Sequence, residues 1–430
     1  MKRRYFLKAT GPSLAGLLTL PAWSAAKTEF LPEIPPSVDD VDPHDEAFWS
    51  NVREHFPLTR DRVYLNTGGL GASPHVSIHA LKSKIDELEE ISETGHNDRL
   101  WHAIKSQAGR IMGCTPEEVA YTRNTTEGVN IVCNGLHLNR DDEVITSIHE
   151  HVGNTIAWLI RQKREGIVMK TFEPSMRSAQ ENIDRIEKLI TKRTRALSIS
   201  HVTTATGQVL PVKEIGALAK AHNLMYFIDG AQSAGMIPLD VHKIGCHAYA
   251  TSGHKWLVGP KGTGLLYVQK DMLDKIDAKW VGAYSNSGDF DMVTGEVQLN
   301  PTAQRYEHGT VSVPLFVGLG ASIEFLLGIG MTNIWRRVHA MGAALADGLS
   351  DLGVEVLSPP HPDEHSAMIT FRLKNIGREK LQGFLAEKHN LRTRGIYEGG
   401  LDGIRISLHL YNSFEDVEKV IEAVQAAKDL

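Results

Sequence analysis

The chain has 430 residues, 42% of them hydrophobic and 23% charged, without a low-complexity tract or an obvious repeat, which provides for a large buried core and excludes a disordered or fibrous protein. Its formal net charge of −6 becomes −10 without the first 26 residues, which carry Lys2, Arg3, Arg4, Lys8 and no acid, and so acidic a protein is a poor partner for nucleic acid or anionic membranes. Cys114, Cys133 and Cys246 show no C-x-x-C spacing and are odd in number, so neither a disulfide scaffold nor a cysteine zinc site is indicated, and no metal is expected.

The chain opens with "MKRRYFLKATGPSLAGLLTLPAWSAA": a basic stretch, an apolar run from Gly11 to Ala22 and a small-residue end at Ala25-Ala26. The run is too short to span a membrane as a helix. Arg3-Arg4 followed by Tyr5-Phe6-Leu7-Lys8 resembles the twin-arginine export signal. Residues 1–26 are therefore expected to be removed near Ala26 after passage through the twin-arginine translocase, leaving a periplasmic protein with no stable membrane anchor.

Residues 27–60, rich in proline and acid, are expected to form an extended arm over the surface. A large domain is expected over 61–315 and a small one over 316–430. From Ile78, apolar residues recur at steps of three and four through Leu81, Ile85, Leu88 and Ile91, which predicts an amphipathic helix. Short apolar runs at 143–148, 195–200, 225–229, 248–252 and 264–268 then alternate with helical patterns, including "VKEIGALAKAHN", which predicts a mostly parallel sheet wrapped by helices. Beyond about 315 the chain reads as helical ("VPLFVGLGASIEFLLGIG") and then as a small α+β unit.

In a parallel sheet, ligands sit outside the carboxyl ends of the strands. His149, Glu150 and His151 follow the first of these runs and His201 the second; Asp229 and Ser252 close two others, and His254 and Lys255 come directly after Ser252. Taken singly, Asp229 is a turn or capping residue, Thr125-Thr126 a helix start and Lys255 a solvated lysine. Nor is "TSGHKWLVGPKGTG" a nucleotide loop: five residues separate Gly253 from Gly259, and Pro260 stands where the phosphate-binding lysine is required. Together the residues suit pyridoxal phosphate, which needs a lysine for a Schiff base, a carboxylate for the pyridine nitrogen and donors for a phosphate. Lys255 follows Asp229 by 26 residues, one strand-helix-strand step, and "TTEGVN" offers hydroxyls at a helix start.

The segments "VYLNTGGLGASP", "NTTEGVN", "HEHVGNTIAW", "DGAQSAG", "SGHK", "RYEHGT" and "RISLHLYN", in that order, resemble the class V branch of the aminotransferases, in its cysteine desulfurase and isopenicillin N epimerase-like part. The resemblance implies an α/β fold of type I, with a mostly parallel seven-stranded sheet in the large domain and a smaller α+β C-terminal domain. It implies pyridoxal 5'-phosphate as cofactor and a homodimer whose subunits share the site. Carried over residue by residue, Lys255 would form the Schiff base, Asp229 would pair with the pyridine nitrogen, Gln232 would bond the ring hydroxyl and His151 would stack on the ring. Thr125, Thr126, Ser252 and His254 would hold the phosphate, joined by Thr310 of the other subunit, and Arg405 would clamp the α-carboxylate of an amino-acid-type substrate.

Two departures shape the expected reaction. No cysteine follows Cys246, whereas desulfurases carry a nucleophilic cysteine shortly before the "RISLHLYN" strand, and Thr204 in "HVTTATGQVLP" replaces their asparagine. The enzyme is accordingly expected to be aminotransferase-like and not a cysteine desulfurase. Transamination-type chemistry at Cα comes first, epimerisation or racemisation second and C–S or β-elimination third. A cofactor-binding protein that has lost catalysis is the non-enzyme alternative.

Overall fold

Seven short strands, nearly all buried on both faces, build the central sheet: β1 Val119–Thr122, β2 Glu143–Ser147, β3 Val168–Phe172, β4 Thr194–Ser200, β5 Met225–Asp229, β6 Ala248–Ser252 and β7 Gly264–Val268. Their order is β1-β7-β6-β5-β4-β2-β3, and only β7 runs against its neighbours. In this computed structural model residues 40–428 and 430 are described, so the expected export signal lies outside the described residues. Two-sided burial explains why these strands read as continuous apolar runs rather than alternating ones. The mostly parallel α/β architecture expected from the sequence is what the chain forms. Two strands escaped the sequence reading. β1 is only four residues long, and β3 is a half-exposed edge strand carrying Lys170 and Thr171.

The proline-rich arm differs from expectation. Part of it is a helix, α1 Glu46–Glu54, capped by the Asp45 side chain, which accepts from the Phe48 N–H at 3.1 Å. Its apolar face buries Trp49 and Val52. The Trp49 indole donates to the Asp42 carbonyl at 3.1 Å, and the Arg337 guanidinium lies over the ring, 5.6 Å from its centre. The acidic, proline-rich residues before Pro43 masked barely two turns of amphipathic pattern.

Helix α2 His75–Ile91 covers the periodic stretch read from the sequence. It packs on α3 Val313–Ile329, which is buried along most of its length, with Ser77 Oγ donating to the Gly318 carbonyl at 2.8 Å. The C-terminal part forms a second, antiparallel sheet from β8 Glu355–Val356, β9 Met368–Arg372, β10 Arg394–Ile396 and β11 Gly403–Ser407, in the order β8-β9-β11-β10. The segment after Tyr64 runs along this sheet, the Ser407 N–H donating to the Leu65 carbonyl at 2.8 Å, and so reaches the rim of the larger sheet.

Trp49→Ala removes a fully buried indole and the surface on which Arg337 rests. It should destabilise the protein by about 3–5 kcal/mol, read by denaturant unfolding; a change within experimental error would mean that α1 is not docked as described.

Candidate active site

Because β4, β5 and β6 are parallel, their carboxyl ends place Ser200, Asp229 and Ser252 on one rim, with Ser200 and Asp229 in register. A cavity of about 280 Å³ opens there. Gly68 and Gly69 wall it from the N-terminal side, Thr204 from the loop after β4 and Arg394 from the small sheet, with Lys255 also in the lining.

One corner is built for an anion. The helix Thr125–Gly135 starts at the cavity, capped by Asn124, whose side chain accepts from the Glu127 N–H at 3.0 Å. Ser252 Oγ accepts from the Thr125 N–H at 3.1 Å and shares a 2.7 Å hydrogen bond with Thr125 Oγ1, tying strand end to helix start. Thr126 and His254 line the same corner, and His254 Nδ1 is buried without a partner among the described residues. Hydroxyls on the positive end of a helix make a phosphate site.

Asp229 is almost fully buried, with Oδ1 accepting from the Ala231 N–H at 2.9 Å. Burial pushes its carboxyl above the usual range; that N–H and the charge of Lys255 pull it back. The Lys255 ammonium is brought down to about 8, by burial first, against the pull of Asp229 and with Arg405 and Arg394 adding to the fall. The lysine is fixed through its backbone. The Gly71 N–H donates to the His254 carbonyl at 2.7 Å, and a Cβ on Gly71 would lie 2.0 Å from the Lys255 carbonyl oxygen. Val258, at φ 48°, completes the tight turn behind it, while Lys261 sits on the exposed turn into β7.

His151 caps the helix Val152–Glu165, its Nδ1 accepting from the Gly153 N–H at 3.1 Å. Burial, then Lys255 and Arg394, lowers its pKa to about 4, so the ring is neutral near pH 7. Beneath it Glu150 accepts from Ser147 Oγ at 2.7 Å, Ser200 N and Oγ at 3.0 Å and Asn154 Nδ2 at 3.0 Å, and fixes this turn to the sheet. Its carboxyl is raised to about 7, by burial first.

The remaining expected residues are placed differently. Gln232 lies behind the cavity wall: its Nε2 donates to the Gly68 carbonyl at 2.9 Å and its Oε1 accepts from the Trp256 indole at 2.8 Å. Thr310 is exposed in a separate, adjoining cavity of about 670 Å³, with Asn124 lining both. Arg405 is fully buried behind Thr204, donating through Nη1 to the Thr204 carbonyl at 2.8 Å and hydroxyl at 3.0 Å, while Nε and Nη2 have no partner among the described residues. Two lining features were missed in the sequence, the Gly68-Gly69 pair and Arg394.

A family profile for class-V aminotransferases matches residues 91–420. The chain is 28% identical to a probable cysteine desulfurase of Methanothermobacter thermautotrophicus, over 87% of its own length and 97% of the relative's. It is also 28% identical to the isopenicillin N epimerase of Amycolatopsis lactamdurans, over 88% and 98%. Among solved structures, the cystine C–S lyase C-DES in complex with its product cysteine persulfide superposes with a TM-score of 0.79 and 27% identity, over 86% of this chain and 99% of that one. A lysine variant of the same lyase carries glycine covalently linked to the cofactor pyridoxal phosphate.

These relatives overturn the expectation of an aminotransferase-like transferase from which desulfurase chemistry is excluded. That exclusion weighed one missing side chain against the whole site. Cleavage of a C–S bond begins with activation at Cα, which calls for a lysine, a carboxylate and an anion corner rather than for a cysteine. The buried unpaired donors, the helix start and the lysine facing a buried carboxylate fit pyridoxal phosphate, which is the cofactor. The central sheet is that of fold type I, and the chain belongs to the class-V aminotransferase family.

Proposed function

We propose that the protein is a pyridoxal-phosphate-dependent lyase that cleaves the bond between sulfur and Cβ in a cysteine-type amino acid. The observation that carries this is Lys255, shifted to about 8 and set opposite buried Asp229 at the edge of an anion site. A lysine poised near neutrality can take and return a proton at Cα. The bound cofactor would supply an electron sink for the pair left at Cα. Thr125, Thr126, Ser252 and His254 would hold its phosphate, Asp229 would keep its pyridine nitrogen protonated, and the neutral His151 ring would cover one face. Arg405 would pair with the α-carboxylate, which accounts for a buried guanidinium that has unpaired donors.

In the balanced reaction the Cα proton goes to Lys255, the C–S bond breaks, and sulfur leaves with the electron pair and takes a proton. Water then replaces the amino group, so that pyruvate and ammonium are formed together with a thiol, or with cysteine persulfide when the substrate is cystine. The names of the relatives support C–S cleavage. A second reading, epimerisation by proton return to the opposite face, is favoured by the epimerase relative and by Thr204, which stands at the cavity where desulfurases have asparagine.

Purified protein given L-cystine should release pyruvate and ammonium in equal amounts. Lys255→Ala should abolish this and Lys261→Ala should not, while Asp229→Asn should keep the cofactor and lose about a hundredfold or more in rate. Formation of the D-isomer without pyruvate would replace this reading by the second.

We further infer export and a homodimer. Arg3-Arg4 with the apolar run after it supports the first; exposed Thr310, together with the exposed Val152, Ile156 and Trp280, supports the second. Periplasmic extract from cells making the full chain should contain shortened, cofactor-bearing protein that sediments at twice the chain mass. Replacing Arg3 and Arg4 by Lys should keep it in the cytoplasm. Processed protein from that double variant in the periplasm, or a monomer in the sedimentation run, would count against the respective inference.

A further inference from the structure

Strands β10 and β11 set two arginines side by side. Arg394 and Arg405 are direct partners across this antiparallel pair, so both side chains leave the same face of the sheet. Like charges in that position destabilise a sheet. The neighbourhood offsets only one of them. Arg394 Nη2 pairs with Glu398, whereas Arg405 is held by the neutral groups of Thr204. Burial and then Arg394 draw the Arg405 guanidinium down to about 9.

The Arg394–Glu398 pair is incomplete as a purely structural contact. Glu398 is nearly fully buried and is further held by the Tyr397 N–H at 3.2 Å, yet Arg394 Nη1 is buried with no partner among the described residues. The Arg394 side chain remains 22% exposed and lines the same cavity as Lys255. Arg394 thus lines the cavity while its cross-strand partner Arg405 lies behind Thr204, each with donors that have no partner among the described residues, against a single carboxylate already committed to Arg394. A ligand with one carboxylate satisfies Arg405 and leaves Arg394 as it is. A ligand with two satisfies both.

We propose that Arg394 is a specificity-determining residue that receives a second carboxylate, carried on the substrate side chain, with Glu398 as the positioning residue that aims its fork. The substrate class is then an S-substituted cysteine, or a comparable amino acid, with an acidic group beyond Cβ. This rests on Lys255 and Arg405 acting as described above. It does not depend on which bond breaks.

The test separates binding from reaction. Holoprotein is titrated with glutarate and with its monoamide, which differ only in the charge of the second group, following the cofactor absorbance. The wild type should bind glutarate at least about tenfold more tightly, since a guanidinium distinguishes a carboxylate from an amide through charge-assisted paired hydrogen bonds. Arg394→Gln should bring that ratio close to one, and Arg394→Lys, which keeps the charge but not the fork, should give an intermediate ratio. In a parallel arm, S-carboxymethyl-L-cysteine should exceed S-carbamoylmethyl-L-cysteine in kcat/KM by a similar factor, mainly through KM. If neither thioether reacts while the glutarate preference holds, the C–S lyase reading fails and the assignment of Arg394 stands. Equal binding of glutarate and its monoamide by the wild type, or a preference unchanged in Arg394→Gln, overturns the assignment.

Discussion

The site depends on one constraint: a buried lysine must stand beside a buried carboxylate. Burial alone drives both groups toward their neutral forms, Asp229 upward and Lys255 downward, and each opposes that drive in the other. The balance leaves the lysine near 8, able to be a base or an acid at physiological pH. Parallel strands supply this geometry, since Asp229 closes one strand and Lys255 follows the end of the next, and the backbone contact between Gly71 and Lys255 keeps the turn from relaxing.

The rest of the site answers to negative charge. The buried Nδ1 of His254 and the donors of Arg394 and Arg405 that lack a partner among the described residues are costly, because each is a polar atom removed from water. They become favourable once a phosphate and carboxylates are bound. Binding of pyridoxal phosphate to the folded chain adds to its stability by mass action.

Much of this was legible in the sequence because local patterns carried it. Apolar runs followed at once by Asp229, Ser252 or Lys255 are strands ending at a working rim, and the spacing between Asp229 and Lys255 is the length of one structural repeat. What was not legible is non-local. The neighbourhood of Arg394 and Arg405 is a matter of cross-strand register, which no spacing along the chain reveals. The partners of the Gln232 amide, Gly68 and Trp256, likewise depend on where the segment after Tyr64 travels. The helix at Glu46–Glu54 was hidden by the prolines before it. The exclusion of desulfurase chemistry erred by treating a missing cysteine as decisive when the bond-activating groups were all present.

The central claim, that Lys255 is the residue joined to pyridoxal phosphate, is tested most directly by reducing the holoprotein with borohydride and mapping the labelled peptide by mass spectrometry. The account predicts that the reduced cofactor is found on Lys255 alone, and that protein carrying Asp229→Asn is labelled at the same residue. Label on Lys261, or on any lysine outside the turn after β6, would contradict it.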